Sequence, residues 1–103
     1  MNDDITAIVE RSSKRLFPNS SLNQVLADLL LERAQKNLIK YQAATRLFKT
    51  KYEQDFDSFR QHILHSESDF EVEQDYFDWE LAVTGISDMS EEIKRLQTIE
   101  TFA

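Results

Sequence analysis

Residues 69–96 read DFEVEQDYFDWELAVTGISDMSEEIKRL. Val72, Tyr76, Trp79, Val83, Ile86, Met89, Ile93 and Leu96 recur at steps of three or four, the coiled-coil-like spacing of one apolar helix face. Gly85 is the one place where such a helix is weak. Asp88 with Glu91 also offers a capping box for a separate last helix. The apolar stripe nevertheless crosses Gly85 in phase, so the spacing predicts one continuous helix over about 69–100.

Working outward toward the amino terminus, Ser66 to Ser68 form a turn, and Phe56, Phe59 and Ile63 mark a short helix that ends near His65 with Asp55 as its N-cap. A second long helix precedes it. Ser21 followed by Gln24 is a capping box, and the stretch beyond is rich in Leu, Ala, Lys, Arg and Gln, all good helix formers. Its apolar face opens with Leu22, Val25, Leu26, Leu29 and Leu30 and continues through Leu38, Tyr41, Thr45, Phe48 and Tyr52. A helix over 22–52 would be roughly 46 Å long at about 1.5 Å per residue. Pro18 separates it from a short amphipathic helix over 3–16 that carries Ile5, Ile8, Val9 and Leu16, with Arg11, Lys14 and Arg15 near its carboxyl end.

Two long helices joined by a short connection fold back on each other. The predicted fold is therefore all-α: an antiparallel hairpin of helices over about 22–52 and 69–100, with a short amino-terminal helix and a short connecting helix. The 103 residues contain no Gly-, Pro- or Ser-rich linker, and half the length would bury too little to fold alone, so 1–103 is read as one helical domain. A two-helix layer covers its aromatics from one side only. Tyr41, Phe48, Tyr52, Tyr76, Phe77 and Trp79 are expected to need a second copy to cover them all, so a homodimeric bundle is predicted.

The composition narrows the function classes. The chain has no Cys, and with it no disulfide or thiolate site. There is no Gly-rich phosphate loop and no Gly-x-Ser-x-Gly. No apolar run is long enough for a membrane span, and the start Met1-Asn2-Asp3-Asp4 lacks the basic residues and apolar core of a signal peptide. These features predict a cytoplasmic protein that is neither an enzyme nor a carrier of a cofactor.

The net charge of −7 hides a division. Residues 1–52 hold 9 Lys/Arg against 5 Asp/Glu, a balance of +4, and residues 53–103 hold 3 against 14, a balance of −11. No basic residue lies between Arg60 and Lys94. Arg33, Lys36 and Lys40 form a helix stripe, of which Lys36 and Lys40 are expected to lie level with Asp78 to Gly85 of the returning helix, so that the two halves partly neutralise each other. The overall acidity argues against nucleic acid as the partner of these cations. DNA-binding autoregulation through Arg11, Lys14 and Arg15 ranks low for lack of a second compact basic reading helix.

Two apparent metal motifs dissolve on inspection. Asp69, Glu71, Glu73 and Glu80 fall at positions of a calcium-loop template, but Gln74 stands where the loop needs Gly for its sharp turn. His62 and His65 are three apart with Glu67 and Asp69 nearby, yet no Glu-x-x-His or His-Glu-x-x-His occurs. They are read as surface residues, and no metal is assigned.

What stands out is Asp69-Phe70-Glu71-Val72-Glu73-Gln74-Asp75-Tyr76-Phe77-Asp78-Trp79-Glu80, where aromatics interleave with carboxylates. On a helix Glu71, Asp75 and Asp78 share a face and repel one another. Tyr and Trp are favoured at binding hot spots. Glu71, Asp75, Tyr76, Asp78, Trp79 and Glu80 are accordingly predicted to form a docking surface for a basic protein partner. The competing expectation is that the aromatics are core and the carboxylates a solvated face.

The same block, with Lys51-Tyr52 and Phe56-Asp57-Ser58-Phe59 before it, resembles small all-helical antitoxin-like proteins of bacterial and archaeal toxin–antitoxin loci. The likeness covers about residues 41–96. It departs from that pattern at Glu53-Gln54-Asp55, where a Gly and a small hydroxyl residue are commoner. The resemblance implies no catalytic residues. It implies an antitoxin that neutralises a basic toxin by contact through Glu71 to Glu80. The alternative is a homo-oligomeric coiled-coil structural or adaptor protein whose acidic face is only solvated.

Overall fold

The computed structural model describes residues 3–102, so Met1 and Asn2, which enter the reading against a signal peptide, lie outside the described residues. Four helices follow one another: α1 (Asp3–Leu16), α2 (Leu22–Tyr52), α3 (Phe56–His65) and α4 (Phe70–Phe102). The all-α hairpin with two short accessory helices is as the sequence predicts. α4 runs through Gly85 and through the Asp88–Glu91 capping box without a break.

The starts of α2, α3 and α4 are each marked by a side chain that satisfies a free backbone donor. Ser21 Oγ accepts from the Gln24 amide at 3.1 Å, Asp55 from Ser58 at 2.9 Å and Asp69 from Val72 at 2.9 Å. The expected capping box at Ser21 is half made: the Gln24 side chain does not return to the cap but donates forward to Asp28 at 3.1 Å. α2 ends on Glu53 in the left-handed conformation, φ 54° and ψ 36°, among the described residues the one non-glycine with positive φ. An L side chain pays for that geometry, and glycine does not. Glu53→Gly is expected to stabilise the chain by about 0.5–1 kcal/mol. The check is a higher urea midpoint at unchanged slope.

α2 and α4 are antiparallel partners along a rod of 58 × 30 × 19 Å. Their register is visible in three places. Lys51 and Tyr52 meet Asp75, Tyr41 packs on Gly85, and Leu30 and Ala34 share a groove with Met89 and Leu96. This is several residues displaced from the alignment the charges suggested. Lys36 does not reach Asp78 to Gly85; it pairs within its own helix with Glu32 at 3.3 Å. Packing of large rings sets register more strongly than exposed ion pairs do.

The core centres on Trp79, which is 0% exposed. Phe48 and Tyr52 of α2 lie on it with ring centroids at 5.8 and 6.5 Å, and Phe56 and Phe59 of α3 close it from a third direction at 5.4 and 5.2 Å. Edge and tilted contacts of this kind add to the area they bury. Tyr41, Phe48, Tyr52 and Tyr76 are half-buried within the single chain. Of the six aromatics expected to be incompletely covered within one chain, Phe77 is the one left open, at 60% exposure. The short connecting helix, read only as a link, supplies the missing wall.

α1 packs against the start of α2. Ser13 is its one buried residue among those described, and Ile8, Val9 and Leu16 line an open apolar groove of about 250 Å³ with Leu22, Val25, Leu26 and Leu29.

Candidate functional site

α4 begins where α2 ends, and the ends are electrostatically matched. Lys49 and Lys51 lie in the last turn of α2, Glu71 and Glu73 in the first turn of α4, each complementing its helix dipole. Lys51 Nζ donates to Asp75 Oδ2 at 2.6 Å and to Glu71 Oε1 at 3.1 Å, and sits 5.4 Å from the Tyr52 ring centroid. Tyr52 Oη donates to the same Asp75 oxygen at 2.5 Å.

The hydrogen bond from Lys51, then that from Tyr52, holds the Asp75 carboxyl below its ordinary range against the opposing effect of burial. The bonds to Asp75 and Glu71 push the Lys51 ammonium up. Burial first, then the bond to Asp75, pushes the Tyr52 phenol up. A carboxyl lowered by folding contributes stability above its unfolded value and loses it as the pH falls through the folded one. Asp75→Asn is therefore less stable than the parent at neutral pH, and the gap closes as the medium is acidified below the ordinary carboxylate range. Urea titrations at a series of pH values read this directly.

The predicted docking residues thus divide. Asp75 is spent on Lys51 and Tyr52, with its side chain 14% exposed. Glu71 is exposed and shares Lys51. Tyr76 is half-buried, stacks on Phe56 at 5.7 Å and donates its hydroxyl to Glu80 at 3.0 Å, and burial raises its pKa. Asp78 is exposed and accepts from Gln74 at 3.1 Å. Glu80 is exposed. Trp79 is not on the surface at all: its indole is enclosed by four rings, so it is corrected from contact residue to core residue. The Trp79 side chain leaves α4 toward α2, one residue from carboxylates that point away.

Opposite Trp79 on the same helix lie side chains outside the predicted docking set. Phe70, Phe77 and Leu81 are 79%, 60% and 64% exposed. Their steps of seven and four place them on one outward stripe. Exposed Glu73, Asp78, Glu80, Asp88 and Glu91 stand around and beyond them. The signal was present in the spacing, since these positions fall midway between the core positions Val72, Tyr76, Trp79 and Val83. Their apolar nature there is the anomaly that marks the face.

Elsewhere the chemistry is sparse. His62 and His65 are exposed, and the latter's Nδ1–H is directed to the Gln61 carbonyl at 2.8 Å. Among the described residues no group of three potential metal ligands converges, and no helix is long and apolar enough to cross a membrane. The calcium-template positions Glu71, Glu73 and Glu80 lie within α4 and take no loop geometry. No family model, characterised protein or solved structure matches the chain.

Proposed function

We propose that the protein is a protein-interaction module that takes a basic partner on the outer face of α4. The observation that carries this is the exposed apolar stripe Phe70, Phe77, Leu81 set among carboxylates, in a segment without a single Lys or Arg between Arg60 and Lys94. Apolar anchors provide binding energy, and the acidic surround selects a cationic partner and speeds its approach. Asp78 and Glu80 accept only from neutral donors, Gln74 and Tyr76, which leaves their charges uncancelled. On this reading the protein works by contact in the cytoplasm, with no catalytic step and no cofactor.

The resemblance of the acidic-aromatic block to antitoxin-like proteins supports a specific form: the partner is a basic toxin encoded beside this chain, whose cationic site the α4 face covers. A homo-oligomeric adaptor is the second reading, favoured by further exposed apolar residues on α1 and α2 such as Ile8, Ile39 and Leu47. Co-expression with the product of the adjacent reading frame should yield a stable complex, and failure to co-purify would sink the antitoxin form. Within such a complex Phe77→Ala is expected to weaken binding by about tenfold or more, as loss of a hot-spot side chain does, while helix content stays unchanged.

A further inference from the structure

The outward faces of the two long helices carry opposite charge. From 33 to 52, α2 holds Arg33, Lys36, Lys40, Arg46, Lys49 and Lys51 and no Asp or Glu. Turned away from α4 along this stretch are Lys36, Ile39, Lys40, Ala43, Arg46 and Leu47, all exposed and spaced as one helix stripe. Ile39 and Leu47 are 61% and 67% exposed. The Phe77–Leu81 face of α4 is built the same way with the opposite sign.

The two stripes also match in length and level. Because Tyr41 lies against Gly85 and Lys51 against Asp75, residues 36–49 of α2 occupy the same stretch of the rod as 78–91 of α4, about 20 Å for each. They look outward on opposite sides of the hairpin, since each lies across its helix from the inward residues Tyr41, Phe48, Trp79 and Ala82. One copy cannot bring its own two faces together. α1 packs on α2 only around Leu22 to Leu29 and leaves 36–49 open.

We infer that a second copy of the chain lays the acidic outer face of its α4 on the basic outer face of α2, with Phe77 and Leu81 against Leu47 and Ile39. The occupant is another copy because its surface supplies both the complementary charge and the apolar anchors. The contact joins two different patches, so it is heterologous and does not stop at a closed pair. It occupies the α4 face assigned above to a basic partner and to that extent rests on that reading: self-association and partner binding exclude each other.

The test is sedimentation velocity of the full chain from micromolar to near-millimolar concentration at low and high salt. The expected mass rises past that of a dimer at low salt and falls to the monomer at high salt, where charge attraction is screened. Lys40→Glu with Arg46→Glu, and separately Asp78→Lys with Asp88→Lys, should each give a folded monomer by circular dichroism, and an equimolar mixture should regain the assembly. A parent chain that stays monomeric at low salt, a mass that stops at two copies, or a mixture that stays apart overturns the inference. A synthetic basic amphipathic helix of lysine and leucine keeps the two readings separate. If it binds the Lys40→Glu, Arg46→Glu variant while that variant no longer self-associates, both stand. If it binds neither that variant nor the dispersed parent while the parent still assembles, only the basic-partner reading falls.

Discussion

Trp79→Ala leaves the chain largely unfolded at neutral pH and room temperature. The indole is the most enclosed side chain of the core and the one ring that α2 and α3 both touch. Its removal opens a cavity among Phe48, Tyr52, Phe56 and Phe59, which hang on separate helices and cannot collapse together without shifting one of them. Truncations of this kind cost about 3–5 kcal/mol. Small domains have only about 5–15 kcal/mol in total, and an elongated hairpin of this size falls toward the lower end. Loss of far-UV helix signal, or a urea midpoint moved close to zero denaturant, is the expected readout. Trp79→Phe should cost well under half as much. It keeps a ring in place and removes an indole N–H that has no hydrogen-bond partner in the buried site, and an unpaired buried donor is itself destabilising. A Trp79 that served chiefly as a docking residue would instead leave the fold of the alanine variant intact.

Gly85→Ala destabilises the protein, although helix propensity alone predicts the reverse. Alanine in a helix interior is better than glycine by about 1 kcal/mol. At this position, however, an added Cβ meets the Tyr41 ring, 2.5 Å from Cε2 and 2.6 Å from Cδ2, which requires the ring or the helix to move. Overpacking of this sort costs typically about 1–3 kcal/mol before the propensity gain is subtracted. A Tyr41 driven outward also exposes the middle of the α2–α4 seam. The net expectation is a fall of up to about 2 kcal/mol on the same scales. Combination with Tyr41→Leu should recover part of it, because the clash partner is gone and the propensity gain remains. Thermal unfolding of the single and double variants measures both terms, and a stabilised Gly85→Ala would show that Tyr41 does not hold α2 against α4 at this point.

Gly85 shows how the sequence was readable at one level and opaque at another. The stripe from Val72 to Leu96 kept phase across it, and phase is enough to assign a continuous helix. That the glycine exists to admit a tyrosine from another helix depends on register, which periodicity does not encode. The same limit shifted the expected pairing of Lys36 and Lys40. The charges are real, but rings set the alignment, and the cross-helix bonds formed at Lys51 with Glu71 and Asp75.

The candidate site was half legible for a related reason. The block from Asp69 to Glu80 announces itself by composition, and on a helix its aromatics must divide between an inward and an outward face. Choosing between those faces needed the whereabouts of α3. Phe56 and Phe59 complete the enclosure of Trp79 and leave Phe77 outside. A ten-residue helix between two turns gives little sign of being a wall of the core. The largest ring therefore looked like the best anchor for a partner, and the exposed Phe70, Phe77 and Leu81, less conspicuous by type, stayed outside the predicted docking set.

The division of that block into a buried Trp79 and an open Phe77 face is the claim on which the rest depends, and Trp79 is the only tryptophan in the chain. Acrylamide quenching of its fluorescence in the folded protein measures the division directly. A blue-shifted emission that resists quenching until the chain is unfolded in urea is the predicted result. An emission quenched in the native state as readily as that of the unfolded chain would put the indole on the surface and contradict the account.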